Sequence, residues 1–443
     1  EGKYFNSTQT ATITITEKNF NEASATAAVI ATLNGQGIAS PVLSGWSHNG
    51  DVHTATLTFD ADGDYSFTLN AVDLAGNSAP TFSKEQFTID KTTPTITFSG
   101  VEENSANRNI VQPVVTFGDT NFSSEKTVLT LKGQKHEEKT VSGSVVSSAN
   151  GMQVTLPDFE HTEDNDDVYT LTATTTDMAG NTLTKSITFS VNRFGSTYKL
   201  SDSTEKFVDK AYHQKGDEIV LYEINPNNIV KQEVSILSDG KTTTLQANAY
   251  KFNKLDQQTW NKYEYKLPAS LFEKEGTYEI IVSSEDEAGN KQTNQIKKVN
   301  VKFVIDKTNP NAVITGIETG KLYNGSELNL GIDLTDNIKL GSAKLYLNDV
   351  EVQAYNEETV EKNNGKLAYT LHESDKWQTL KVVTVDAAGN EGTSEEMKVL
   401  VSSNWFTRFV NGIWSKITIG IAAIISILLL FLFGKRRKKE EEN

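Results

Sequence analysis

The chain has 443 residues, 42 basic and 58 acidic side chains, a net charge of -16, six histidines and no cysteine. The lack of cysteine excludes disulfides, thiolate nucleophiles and cysteine-ligated zinc or iron–sulfur centres, and the acidic balance argues against nucleic-acid binding by the body of the chain. At about 100–200 residues per domain the length admits roughly two to four domains. The first residue is Glu1 and no apolar signal segment follows it, so the chain reads as a processed product or a fragment.

In chain order, one unit recurs four times. Its clearest marker is D-x-A-G-N, at Asp73–Asn77, Asp177–Asn181, Asp286–Asn290 and Asp386–Asn390, about 100 residues apart. Each copy follows an alternating run (65–72, 169–176, 278–285 and 378–385) that reads as a half-buried strand. Tyr65, Tyr169 and Tyr278 open three of these runs, and Gln378 opens the fourth. An acidic-x-Asn step follows an earlier strand: Glu17/Asn19, Asp119/Asn121 and Glu223/Asn225, reduced to adjacent Asp336-Asn337 in the last copy. The linker IDKTTP (89–94) opens the second unit and IDKTNP (305–310) the fourth, with VNRFGS (191–196) as a diverged version at the third. Asp90 to Asn121 and Asp306 to Asn337 share one separation. Counting it back from Asn19 falls before residue 1, so the first unit is expected to lack its opening strand and the chain to be cut from a longer one.

Units of this length, rich in Val, Ile, Thr and Tyr and with frequent turn signals, predict β-sandwiches. The expected fold is all-β: four tandem Ig-like β-sandwich domains at 1–89, 90–192, 193–304 and 305–402, followed by one transmembrane helix. In D-x-A-G-N the glycine supplies a positive φ and the Asp and Asn side chains bond neighbouring amides. That assigns turn roles to Asp73, Gly76 and Asn77, to Gly180, to Asp286, Gly289 and Asn290, and to Gly389. Tyr at the head of the preceding strand fits a tyrosine corner, its hydroxyl tying down the turn before it.

The C-terminus reads as a membrane anchor. Residues 403–416 form an aromatic juxtamembrane segment, with Trp405 and Trp414 as interfacial anchors. Residues 417–433 are uncharged and cover about 25 Å as a helix, at the short end for a span. The tail 434–443 carries Lys435, Arg436, Arg437, Lys438 and Lys439, which the positive-inside rule places in the cytoplasm, with the N-terminal region outside. No LPxTG sortase signal precedes the span, so the anchor is expected to be retained.

The IDKTxP opening, the strand led by Tyr and D-x-A-G-N resemble the bacterial Ig-like domains of large surface proteins in Gram-positive bacteria, over about residues 1–402. VNRFGSTY (191–198) with YEINPN (222–227) is similar to a sister module of Firmicutes surface proteins. The resemblance implies surface display, spacing, adhesion or carbohydrate contact, and no catalytic residues.

Motifs for chemistry are sparse. Gly240-Lys241-Thr242 lacks the first glycine of a phosphate loop and reads as a turn. His136-Glu137 and His372-Glu373 lack the second histidine of a zinc protease and read as solvated loops. His48 and His53 read as exposed turn histidines. Asp60-Ala-Asp62-Gly63-Asp64 begins like a calcium loop, but Ala71 stands where the bidentate Glu belongs. In an Ig-type sandwich the loop after acidic-x-Asn, the D-x-A-G-N loop and the incoming linker share one end. Asp90, Asp119, Asn121, Asp177 and Asn181 are therefore expected at one junction, and Asp306, Asp336, Asn337, Asp386 and Asn390 at another. Such hard oxygen ligands suit Ca²⁺. The alternative, favoured by the missing cadherin-type linker pattern, is that each side chain only closes its own turn. Trp46 and Trp260 are candidates for a sugar platform or, more simply, core residues, and the Tyr-rich third unit is where a partner would first be sought.

The leading functional expectation is a non-catalytic, membrane-anchored extracellular stalk displaying an upstream head, with no cofactor and with the membrane as its one firm partner. Four units of about 30 Å span about 120 Å. The alternatives are an adhesin binding host glycan or matrix protein, and the anchor region of a surface hydrolase with its catalytic domain upstream.

Overall fold

The computed structural model describes residues 3–440, with side chains described except at 413–415, 419 and 431–440. Each alternating segment forms a strand, and the strands assemble into paired sheets. The second unit shows the plan: Val114–Gly118 pairs with Thr95–Ser99 and with Gly151–Thr155 in one sheet, while Thr127–Gly133, Asp167–Thr176 and Thr182–Val191 run antiparallel in the other. The inward residues of the two faces alternate with exposed ones, as in Asp167–Thr176, so each sandwich buries a layer of its own.

Among the described residues the buried apolar side chains form four separate clusters, one per unit. They are anchored by Phe59 and Tyr65, by Phe117 and Phe189, by Tyr265 and Phe303, and by Ile332 and Leu345. Ile305 packs in the third cluster, so the third sandwich runs one residue beyond the boundary drawn from the linker motif.

The opening strand of each sandwich is split. Its second half pairs parallel to the last strand: Ser105–Asn107 on Thr182–Val191, Tyr212–His213 on Val301–Ile305, and Leu322–Asn324 on Met397–Ser402. In the first unit Tyr4–Phe5 makes this pairing with Phe82–Ile89. Unit 1 thus carries the second half of an opening strand, and the expectation that it lacks one altogether is corrected. Gln9–Thr16 pairs with Val52–Phe59 and, among the described residues, has no strand on its other edge.

The tyrosine corners are present. Tyr65, Tyr169 and Tyr278 donate to the carbonyls of Ala61, Asn165 and Lys274 at 2.8, 3.1 and 2.8 Å. Gln378 substitutes for the missing tyrosine, its amide donating to His372 O at 3.0 Å. The Gly240-Lys241-Thr242 segment is a hairpin, with Asp239 and Gly240 at φ 47° and 79° between Ile229–Ser238 and Lys241–Thr244.

Two short helices interrupt the sandwiches: α1 (Asp202–Lys210), capped by Ser201 accepting from Thr204 N, and α2 (Glu357–Lys362), capped by Asn356 accepting from Thr359 N. After the fourth unit come α3 (Trp405–Asn411) and α4 (Ile413–Glu440). Among the described residues no single helix is long and apolar enough to cross a membrane; Trp405–Asn411 and Lys416–Leu430 meet that test only together, across a bend of 56°. The expected span 417–433 lies within α4. The side chains of Trp414, Lys435, Arg436, Arg437, Lys438 and Lys439 fall outside the described residues.

Candidate cation sites at the unit junctions

The four D-x-A-G-N turns are built alike. Asp73 Oδ1 accepts from Ala75 N and Asn77 N at 2.9 and 2.8 Å, and Asn77 Nδ2 donates to Asp73 Oδ2 at 2.8 Å. Asp177/Asn181, Asp286/Asn290 and Asp386/Asn390 repeat the closure. The turn glycines sit at φ 88°, 97°, 81° and 96°, which a side chain would strain. The amide after each Asp then bonds the facing acidic-x-Asn loop: Leu74 N to Asn19 O, Met178 N to Asn121 O, Glu287 N to Asn228 O and Ala387 N to Lys339 O, at 2.9–3.0 Å.

The linker completes this end of the sandwich in units 2, 3 and 4. Asn181 Nδ2 donates to Asp90 O, Asn290 Nδ2 to Asn192 O and Asn390 Nδ2 to Asp306 O, at 2.8, 2.8 and 3.0 Å. A carboxylate of the preceding unit grips the linker from the other side. Asp62 accepts from Lys91 N and Thr92 Oγ1, Asp166 from Arg193 N and Phe194 N, and Glu275 from Lys307 N and Thr308 Oγ1, at 2.6–2.9 Å. All three sit three residues before the corner tyrosine, a pattern legible in the sequence but passed over. It also gives the acidic run at 60–64 a role: Asp60 pairs with Lys91 Nζ at 2.7 Å, so the run holds a linker.

Two junctions gather carboxylates. One carboxylate oxygen from each of Asp90, Asp119 and Asp177 lies within 4.8 Å of the other two, and Asp306, Asp336 and Asp386 repeat the arrangement. The asparagines of the two expected sets behave otherwise. Asn121 donates its side-chain amide to Asp90 Oδ2 at 2.7 Å, Asn181 and Asn390 close their turns, and Asn337 is exposed, outside the cluster. Losing one residue between Asp and Asn in the fourth unit turns Asn337 away. Burial, and then the charges of Asp90 and Asp177, push Asp119 above the usual carboxylate range, against a backbone N–H from Asn121. Burial, then Asp336 and Asp386, push Asp306 up to about 6, against the N–H of Thr308. Asp73 is held below the ordinary range chiefly by Asn77.

The junction between units 2 and 3 is chemically different. Asn192 stands where Asp90 and Asp306 stand elsewhere. Its amide nitrogen donates to Asn225 Oδ1, Asn227 Oδ1 and Asp286 Oδ2 at 3.0, 3.0 and 2.9 Å. Asn225 also donates to Asp286 Oδ2, and Ser196, Tyr198, Tyr265 and Ser284 surround the fully buried Glu223 with four hydroxyl donors. Two outer clasps reinforce it. Arg193 pairs with Asp158 at 2.6 Å and also bonds the carbonyls of Phe159 and Asn109. Trp260 of unit 3 donates Nε1 to buried Asp167 of unit 2 at 2.8 Å, under the ammonium of Lys135.

Several single-residue expectations change. Trp260 is buried in this clasp, and Trp46, half-buried, packs edge-on to Phe20 at 4.9 Å and against the core of unit 1. Tyr250, Tyr263 and Tyr265 of the third unit are buried. His53 is buried, bonded to His48 at 2.7 Å and to Glu17 O at 2.8 Å, and stacked on Phe20, because the hairpin around residue 50 folds it inward. His136 is held by Asp167 at 2.8 Å and is no solvated loop residue.

The family model for the bacterial Ig-like domain (group 3) matches residues 53–192, the second half of unit 1 and all of unit 2. That stretch is similar to the bacterial Ig-like domains, and the other units repeat its turn motif and strand pattern. No curated protein sequence matches the chain. Among solved structures, the tetra-tandem repeat in the extending region of a large adhesion protein is 14% identical, with 90% of this chain and 97% of that chain covered and a TM-score of 0.34. The fibronectin(III)-like modules of Clostridium thermocellum CbhA are 10% identical over 46% of this chain and 94% of theirs, at a TM-score of 0.23.

Proposed function

We propose that the chain is a non-catalytic extracellular spacer, held at a Gram-positive cell membrane by its C-terminal helices and carrying a head domain away from the bilayer. The observation that carries this reading is α4. Ile421, Ile424, Ile425, Ile427, Leu428, Leu429 and Leu430 are all about half exposed or more, on every face of the helix. A helix apolar all round belongs in lipid or a protein core, and among the described residues no unit covers this one. Just before it, α3 docks on unit 4 through buried Thr407 and through Arg408 Nη1 on Ser402 O at 2.5 Å, and leaves Trp405, Phe406 and Phe409 exposed. Exposed aromatics beside an apolar helix fit the bilayer interface. The repeats supply length, with their D-x-A-G-N turns, linkers and junctions built alike from unit to unit.

The absence of cysteine makes a clean test. Ser403→Cys in intact cells is expected to react with a membrane-impermeant maleimide, and Asn443→Cys only after lysis. Equal labelling of both in intact cells, or recovery of the full chain in the soluble fraction, would contradict the anchored reading.

A further inference from the structure

The junction between units 3 and 4 leaves oxygens without partners. Asp306 is 1% exposed, and its Oδ2 has no hydrogen-bond partner; Asp336 Oδ1 lacks one as well. Their other oxygens are spent locally, Asp306 Oδ1 on Thr308 N and Asp336 Oδ2 on Ile338 N and Lys339 N. Asp386 uses both oxygens to close its turn. The flanking lysines point elsewhere: Lys307 Nζ bonds Glu273 O at 2.5 Å, and Lys339 Nζ pairs with Glu357 at 2.6 Å. Three carboxylates therefore converge around a buried, unpartnered oxygen with no ammonium among them. Burying such a charge without a counter-charge is costly.

The junction between units 2 and 3 shows what the position demands. There the amide nitrogen of Asn192, in the linker, reaches three oxygens, two from Asn225 and Asn227 at the end of the acidic-x-Asn strand and one from Asp286 of the D-x-A-G-N turn. A protein donor fills the centre. With Asp306 in place of Asn192 that donor is gone, and the centre is ringed by acceptors alone.

We propose that Asp306, Asp336 and Asp386 bind a divalent cation of the calcium class, which locks unit 4 onto unit 3 and does for that junction what the Asn192 amide does for the one before it. An all-oxygen, carboxylate-rich and irregular set suits Ca²⁺ better than Mg²⁺, which demands near-octahedral geometry. The junction between units 1 and 2 has a similar triad, but Asn121 Nδ2 already satisfies Asp90 Oδ2 there, so the inference is confined to units 3 and 4. It stands on junction geometry and does not depend on the spacer reading.

The test compares the full detergent-solubilised chain with Asp306→Asn and with Asp306→Asn/Asp336→Asn, using CaCl₂ as the probe. Asn at this position is already tolerated in the homologous junction, so these variants should fold. Equilibrium dialysis is expected to show one fewer Ca²⁺ bound per chain in both variants. Trypsin supplies a second readout, since Lys307 lies in the linker: Ca²⁺ should slow cleavage after it at least tenfold in the natural chain, EGTA should restore cleavage, and the variants should be indifferent. Equal Ca²⁺ binding by the natural chain and the double variant would overturn the proposal, as would cleavage after Lys307 that ignores EGTA.

Discussion

The junctions on either side of unit 3 carry the same loops and the same turn, yet they are held together differently. Between units 2 and 3 the centre is an amide, surrounded by a network in which each member has a partner, and Arg193 and Trp260 clasp it from outside. Between units 3 and 4 the centre is acidic, and Asp306 Oδ2 and Asp336 Oδ1 have no hydrogen-bond partner. One residue of the linker, Asn192 against Asp306, separates a junction complete in itself from one that calls for an ion. On that proposal stiffness is set locally, junction by junction, while the sandwich plan stays constant.

The comparison can be broken most forcefully at Asn192. Replacing it by Ala removes three buried bonds to Asn225, Asn227 and Asp286, whose oxygens keep other donors, and leaves the buried Gly195 N without its acceptor, at a cost of about 1–3 kcal/mol, seen as a lower denaturant midpoint for the part of the transition reported by Trp260 fluorescence. Asn192→Asp should make that junction acidic and its melting newly sensitive to EGTA; a melting curve indifferent to chelator would contradict the equivalence of the two positions. Trp260→Ala removes a buried ring and its bond to Asp167, for about 3 kcal/mol, and should let units 2 and 3 unfold in separate transitions by calorimetry.

A pH series gives a smaller effect of opposite sign in the two ion conditions. In EGTA the folded chain holds the Asp306 proton up to about pH 6, beside Asp336, Asp386 and Glu275, whereas the unfolded chain releases it near the ordinary value of about 4. Stability is then full below about pH 4 and is lost as pH rises through about 6. With Ca²⁺ present the deprotonated carboxylates are the ligands, so stability should rise over the same window. The smallest change is expected for Glu275→Gln, under about 1 kcal/mol for so exposed a contact, readable as slightly faster trypsin cleavage after Lys307.

Much of this was legible because the repeat fixes positions. D-x-A-G-N announced its turn, the tyrosines announced their corners, and the shared end of the sandwich placed Asp90, Asp119 and Asp177 together and Asp306, Asp336 and Asp386 together. What stayed hidden depends on contacts between units. Nothing local to Trp260 says that its indole will meet Asp167, and nothing local to His136 says that the same carboxylate will hold it. Asn337 was misplaced because a one-residue deletion reverses the direction of a side chain in a loop, which spacing alone does not register. Helices α1 and α2 escaped notice because they are too short for periodicity to show, although Ser201 and Asn356, each followed by acidic residues, carried the capping signal. The gripping carboxylates Asp62, Asp166 and Glu275 could have been found by aligning the units on their tyrosines.

The most direct test is distance measurement by pulsed electron resonance, made simple by the cysteine-free chain. Labels at Lys241→Cys and Val350→Cys span the junction of units 3 and 4, and labels at Ser147→Cys and Lys241→Cys span that of units 2 and 3, all at exposed positions. The expected result is a narrow distribution across units 2 and 3 in either condition, with one across units 3 and 4 that is narrow in Ca²⁺ and broad in EGTA. Equal widths across units 3 and 4 with and without Ca²⁺ would contradict the account.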